Sequence, residues 1–191
     1  MEKIISESKA IARKKAKSLI ANMQSSEKIS KTKKITDLFT EHIQYFSKQN
    51  NRGKLNVLMY QADQWEPLLD PPNGIEFEIY YPRVVSDNEL ELVKPISWNI
   101  GRYGIREPAG DELIQPGELD FLVIPGLGFD INGARLGRGK GYFDKCLESV
   151  DARKILGITW SFCFPLNFQS ESHDLRTGKV ITDLGIFSFL D

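Results

Sequence analysis

Cysteine is scarce in this chain, with only Cys146 and Cys163 among 191 residues. An N-terminal apolar h-region is missing, and so is any run approaching the roughly 18 apolar residues of a membrane span. Neither a secretion signal nor a spanning helix is therefore indicated, and a cytoplasmic protein that does not engage membranes is expected. An excess of positive charge is absent too: 25 Lys and Arg against 26 Asp and Glu leave a formal net charge of -1. That excludes a general nucleic-acid footprint, so any anion site must come from local clustering. No internal repeat or low-complexity linker is visible. Hydrophobic residues at 41% and charged residues at 27% exclude a disordered or collagen-like chain. Cys146 falls on the inner face of a predicted helix and reads as a packed thiol, not a nucleophile.

A length of 191 residues suits one well-buried domain, expected to span 1–191 as a monomer. Residues 3 to 23 read as a first helix whose apolar stripe is Ile5, Ala12, Ala16, Leu19 and Met23. Lys9 falls within that stripe and Arg13 on its margin, while Lys14 and Lys17 point elsewhere. Two readings of the inward pair stay open: aliphatic stems lying along the core edge, or a buried anion. Ile35, Leu38, Phe39, His42 and Phe46 predict a second helix ended by Asn50, Asn51 and Gly53, with His42 at the core edge.

Leu55 to Tyr60 reads as the first strand. Ile75, Phe77, Ile79 and Tyr81 alternate as a second, bounded by Pro71-Pro72-Asn73-Gly74 and Pro82, and Leu90 with Leu92 hint at a third. Trp98 to Gly117 is dense in glycine and proline and reads as an irregular functional stretch. Leu119 to Pro125 is the central strand, Ile155 to Trp160 another and Val180 to Phe189 the last extended segment. Together these predict a three-layer α/β domain. Ligands in such sheets gather beyond the carboxyl ends of the strands.

The central run Phe121-Leu122-Val123-Ile124 feeds a loop in which Arg135, Gly137, Arg138, Gly139, Lys140 and Gly141 crowd three cations and three glycines into seven residues. Tyr142 to Val150 then reads as a helix with Phe143, Cys146, Leu147 and Val150 facing inward. Cations and bare amides at a helix start favour an anion, and phosphate is the first hypothesis. Neither common nucleotide pattern fits: G-x-x-x-x-G-K-[ST] meets Gly141 where Ser or Thr is needed, and G-x-G-x-x-G meets Tyr142. Asp144, just inside the helix, is a natural magnesium anchor beside phosphates, or a carboxylate that favours the dipole.

These residues resemble the 5-formyltetrahydrofolate cyclo-ligase family. PGLGFDINGARLGRGKGYFD, Pro125 to Asp144, follows its P-x-x-x-F-D-x-x-G-x-R-L-G-x-G-x-G-Y-Y-D signature, with Phe143 in place of the second tyrosine. The Lys9-x-x-x-Arg13 pair, Lys94 to Ile100, His173-Asp174 and Val180-Ile181-Thr182 match further family elements in family order. The resemblance implies a mixed, largely parallel sheet with helices on both faces. It implies an enzyme that uses ATP and magnesium to close 5-formyltetrahydrofolate into 5,10-methenyltetrahydrofolate, releasing ADP and phosphate. By that resemblance Lys9, Arg13, Arg135, Leu136, Gly137, Arg138, Gly139, Lys140, Gly141, Tyr142 and Phe143 hold ATP. Lys140 and Arg135 serve catalysis, and Asp144 with Asp174 hold magnesium. The inward pair on the first helix then has an anion to meet.

On the reduced-folate side the resemblance implies contacts from Met59, Gln64, Glu66, Trp98, Arg138 and Tyr142. Gln64 stands where the family usually has a glutamate, and an amide cannot accept two N–H bonds from a pterin as a carboxylate does. Glu66 would share a face with Gln64 in an extended segment and so take over the contact. Pro67, Pro71 and Pro72 leave little room for the helix that usually follows. Two alternatives remain: a paralogue that turns the same ATP and magnesium site on another amide or carboxylate, and a non-catalytic folate- or nucleotide-binding module. Asp130 either acts directly or shapes the turn around Asn132-Gly133.

Overall fold

In this computed structural model the described residues are 7–50, 54–71, 75–87 and 89–189. Ser8 opens the first helix, α1 (Lys9–Ala21): it is extended, and its side chain accepts from the Ile11 amide. Ile5 and the expected earlier turn lie outside the described residues. Ala12, Ala16 and Ile20 form the buried stripe, whereas Leu19, expected inward, is 47% exposed. The two small alanines define a seam along the i, i+4 row, and that row continues to Ile20. The second helix, α2 (Ser25–Asn50), buries Ile35, Phe39 and Ile43. His42 is half-buried at the core edge as expected, and burial, with Lys179 nearby, pushes its pKa down to about 4. Asn51 and Gly53, expected to end this helix, lie outside the described residues, as do Pro72, Asn73 and Gly74.

The strands are β1 (Leu55–Leu58), β2 (Phe77–Ser86), β3 (Glu89–Val93), β4 (Ser97–Ile100), β5 (Arg106–Ala109), β6 (Phe121–Pro125), β7 (Gly128–Phe129), β8 (Arg135–Leu136), β9 (Ile155–Ile158), β10 (Lys179–Thr182) and β11 (Gly185–Ser188). Seven form the main sheet in the order β11-β10-β9-β6-β1-β2-β3. The five inner strands run parallel, and β11 and β3 pair antiparallel at the edges. The expected largely parallel mixed sheet is thus present, and every residue of β6, at its centre, is buried.

Strand residues alternate between two cores. Val57, Phe121, Val123, Leu156 and Ile158 pack under α1 and α2. Leu58, Leu122, Ile124 and Ile155 face the other way, where Leu147 and the partly buried Phe143, Cys146 and Val150 cover them. Each fully buried aliphatic side chain in these layers contributes about 1.5–3 kcal/mol. The layers are unequal. On the second face the helix expected over Tyr142 to Val150 is confined to α3 (Tyr142–Cys146), little more than one turn. Among the described residues no helix is long and apolar enough to cross a membrane.

Three extended segments differ from expectation. β2 does not stop at Pro82 but runs on to Ser86. Tyr80 accepts from the Met59 amide and so faces β1; Pro82, two residues on, points past the end of β1, where a missing N–H breaks no ladder. Trp98 to Gly117 is not wholly irregular, because β4 and β5 form a separate antiparallel hairpin within it. Val180 to Phe189 is two strands, not one: β10 turns at Asp183-Leu184, where Thr182 Oγ1 accepts from the Leu184 amide, and returns as β11.

Candidate active site

Beyond β6 the chain doubles back through the short hairpin β7–β8. Asp130 builds its turn, Oδ1 accepting from the Asn132 and Ala134 amides at 2.8 Å each, and Gly133 completes it at φ +77°. The role of Asp130 is therefore to shape the turn. Arg135 leaves this hairpin buried, its Nε donating to the Pro125 carbonyl at 2.7 Å. Its guanidinium lies 4.9 Å from the Phe143 ring and its Nη1 is 3.9 Å from Asp144 Oδ2. Burial lowers the Arg135 pKa, while Asp144 and Glu66 oppose the shift; an arginine in this position keeps its charge.

Arg135, Gly137 and Gly141 form a wall shared by two cavities. On one side is a polar chamber of about 450 Å³, reached by Lys9, Arg13, Gly139, Asp144, Glu171 and Asp174. Arg13 Nε donates to the Gly137 carbonyl at 2.8 Å across a separation of 124 residues, so α1 and the glycine loop converge. Lys9 pairs with Asp174 at 2.6 Å and also with Glu171. Burial works against its charge, but the two carboxylates outweigh that and raise its pKa. Asp144 Oδ1 accepts from the Leu175 amide at 3.1 Å, and Asp174 Oδ2 from the Glu171 amide at 2.7 Å. Ligand atoms of Glu171, His173 and Asp174 lie within 4.8 Å of one another. With α3 so short, the cations available to an anion here are the side chains of Lys9, Arg13 and Arg135 rather than a helix dipole, and Asp144, Glu148, Glu171 and Asp174 stand among them.

On the other side is a mainly apolar cleft of about 300 Å³. Tyr60, Pro82, Val84, Leu90, Ile105 and Phe143 supply its apolar walls, and Glu66, Arg138, Lys140 and Tyr142 its polar points. Glu66 is 6% exposed. One nitrogen of Arg138 donates to Glu66 Oε1 at 2.8 Å and pairs with Asp63 Oδ2 at 2.5 Å. Burial raises the pKa of Glu66, against the pull of Arg138. Tyr60 donates to the Pro67 carbonyl at 2.5 Å, and burial together with Glu66 holds its pKa well above the ordinary value. Such a cleft suits a flat ring with polar edges.

Lys140 is exposed and forms no ion pair with the described residues; it borders the cleft while its neighbours Gly139 and Gly141 border the polar chamber. Leu136 is buried in the core and offers the loop only its main chain, whose carbonyl accepts from Leu127. Three expected substrate contacts are not brought to the cleft. Met59 is fully buried in the core under the helices. Trp98 packs edge-on to Tyr81 at 4.9 Å with Arg106 over its ring at 5.1 Å. Gln64 is exposed, and its main-chain carbonyl accepts from Lys28 at 2.9 Å. Gln64 and Glu66 do not share a face because the segment is a turn, in which Asp63 Oδ1 accepts from the Trp65 amide at 2.8 Å and the Asp63 amide donates to Glu66. No helix forms between 59 and 71. Tyr60, Asp63, Tyr103 and Glu171 were not singled out in the sequence. Tyr60 had a signal, since it follows the carboxyl end of a parallel strand.

Residues 5–182 match the model of the 5-formyltetrahydrofolate cyclo-ligase family. A mouse 5-formyltetrahydrofolate cyclo-ligase is 35% identical over 104 residues, 52% of this chain and 51% of that protein. One from Mycoplasma pneumoniae is 28% identical over 104 residues, 54% of each. The chain thus spans about half the length of the curated relatives it matches. A solved 5,10-methenyltetrahydrofolate synthetase from Mycoplasma pneumoniae superposes with a TM-score of 0.72 at 20% identity, covering 92% of this chain and 98% of that one. One from Aquifex aeolicus superposes with a TM-score of 0.74 at 24% identity, covering 96% and 93%. These two likenesses establish the fold.

Proposed function

Because the chain belongs to the 5-formyltetrahydrofolate cyclo-ligase family, we propose that it converts 5-formyltetrahydrofolate and ATP into 5,10-methenyltetrahydrofolate, ADP and phosphate. The observation that carries this reading is the wall of Arg135, Gly137 and Gly141, with a chamber lined by both cations and carboxylates on one side and an apolar, carboxylate-bearing cleft on the other. A triphosphate suits the first and a pterin ring the second. Their reacting ends would then meet at the glycine loop.

The formyl oxygen is a poor leaving group. In the proposed route it attacks the γ-phosphorus, the bond to the ADP oxygen breaks, and the formyl group becomes an imidate-type phosphate. N10 then adds to the activated carbon and loses its proton, and the oxygen departs as phosphate. Such transfer asks chiefly for positioning and neutralised charge. Arg13, Arg135 and Lys9 supply charge on the phosphate side. Lys140 borders the cleft, flanked by two glycines that border the chamber, and is suited to the oxygen that passes from formyl group to phosphorus. Glu66 can accept N–H bonds from a pterin edge, and Phe143 and Tyr60 offer apolar walls.

Magnesium suits the donor set of the chamber, whose carboxylates on Asp144, Asp174 and Glu171 are hard oxygen ligands. Asp144 and Asp174 would hold it, as the sequence implied; when bound it supplies neutralising charge for the phosphates. Lys9 meanwhile balances Asp174 and Glu171.

The test is the appearance of methenyltetrahydrofolate absorbance when purified protein meets 5-formyltetrahydrofolate, ATP and magnesium. Product formed with stoichiometric ADP supports the ligase. ADP released only with another amide or carboxylate, or ligand binding without turnover, overturns it.

A further inference from the structure

The β4–β5 hairpin hydrogen-bonds as a two-stranded unit apart from the main sheet. Its base is fixed: Ile96 donates to the Ala109 carbonyl at 2.9 Å, Arg83 Nη1 to the Gly110 carbonyl at 3.0 Å, and Trp98 packs on Tyr81. Its tip, residues 101–105, reaches across the cleft to the glycine loop. There Tyr103 and Tyr142 share a hydrogen bond between their hydroxyls at 2.9 Å, with ring centroids 6.3 Å apart. Among the described residues the tip has one other tether, the exposed ion pair of Arg102 with Asp87, and exposed pairs of this kind hold weakly. Tyr103 and Ile105 thus form a wall of the cleft that is held shut at its far end mainly by one hydroxyl pair. Tyr142 in turn follows Gly141, which borders the polar chamber as well.

We propose that the β4–β5 hairpin is the retaining wall of the substrate cleft, and that Tyr103 is a positioning residue that holds this wall against the glycine loop through Tyr142. The proposal rests on reading the cleft as the reduced-folate pocket. A bulky ring substrate has to pass a closed tip to enter or leave, so the hydroxyl pair sets its residence time. The nucleotide, in the other chamber, passes no such barrier. The effect of Tyr103 therefore falls on one substrate and spares the other.

The test is Tyr103→Phe, which keeps the ring and removes one hydroxyl. Two readouts are needed. Hydrogen exchange of residues 101–105 in the free protein is expected to speed up by about 3- to 10-fold, the weight of one neutral hydrogen bond. Association and dissociation of 5-formyltetrahydrofolate, which pass the same barrier, are expected to speed up by a similar factor, with its KM, kcat and the KM for ATP within about twofold of the parent. Equal exchange at the tip in parent and variant overturns the latch whatever the substrate proves to be. Faster exchange with unchanged folate dissociation overturns the retaining role. A parent protein that binds no 5-formyltetrahydrofolate refutes the reading of the cleft and with it this proposal, even where tip exchange shows the hydroxyl contact itself to be real.

Discussion

Glu66→Gln isolates the charge of the cleft without altering its shape. Glu66 is 6% exposed and receives Arg138 at 2.8 Å, but Arg138 keeps a second carboxylate, Asp63, at 2.5 Å. The substitution therefore leaves no unpaired buried guanidinium, and the glutamine oxygen can still accept from it. What disappears is a charge-assisted contact to the substrate edge, worth about 1.5–3 kcal/mol, or roughly 10- to 150-fold in KM for 5-formyltetrahydrofolate. The fold loses the 3.3 Å bond from the Asp63 amide, which the nitrogen standing in place of Oε2 cannot accept. Burial, partly offset by Arg138, raises the folded pKa of Glu66 above its ordinary value. The folded state thus binds that proton more tightly than the unfolded chain does. The favourable contribution belongs to low pH and fades as pH rises through the unfolded and then the folded pKa. At neutral pH a neutral amide escapes that loss, which offsets the missing turn bond, so Tm should hold. Steady-state kinetics with each substrate varied in turn, beside a melting curve, checks both halves. A folate KM within about threefold of the parent, in a variant that melts normally, would refute the assignment of Glu66 to substrate recognition.

Lys140→Ala should lower kcat by about a hundredfold, ~3 kcal/mol of lost charge stabilisation, with no change in Tm because the side chain is exposed. A loss under about threefold would make it a surface charge. Asp144→Asn keeps an acceptor for the Leu175 amide, so the fold should persist while the magnesium midpoint moves to higher concentration; an unchanged titration would remove Asp144 from the cation site. His42 has a pKa depressed from 6.5 to about 4. Its contribution is whole above the unfolded value and is lost as pH falls from there toward the folded one. In His42→Leu the decline of Tm between those two pH values should be shallower, and superimposable melting profiles would contradict the burial argument.

Periodicity and local chemistry made part of this molecule legible. The apolar run of β6 with the glycines and cations after it located the site, because a strand buried on both faces reads as continuous hydrophobicity. Inward-facing Lys9 and Arg13 were visible from angular spacing alone; Arg13 does reach the loop, and Lys9 reaches Asp174 and Glu171 in the same chamber. What stayed hidden depended on turns. Asp63 folds its own segment back, so Gln64 faces outward and Glu66 inward, an inversion that no period-two pattern reports. The β4–β5 hairpin sits among glycines and prolines that mark loops and carries no alternating apolar face, since Trp98 packs against the core while Ile100, two residues on, is exposed. The family resemblance implied Met59 as a contact, but its side chain is fully buried in the core under the helices and does not line the cleft.

The partition of Arg135, Gly137 and Gly141 is main chain alone at two of its three positions. A Cβ built on Gly137 would stand 2.5 Å from Arg135 Nη1. On the proposed reading, then, the spacing of donor and acceptor at those two positions is set by backbone stiffness and not by a rotamer. Even a methyl on Gly137 would push the guanidinium off its seat.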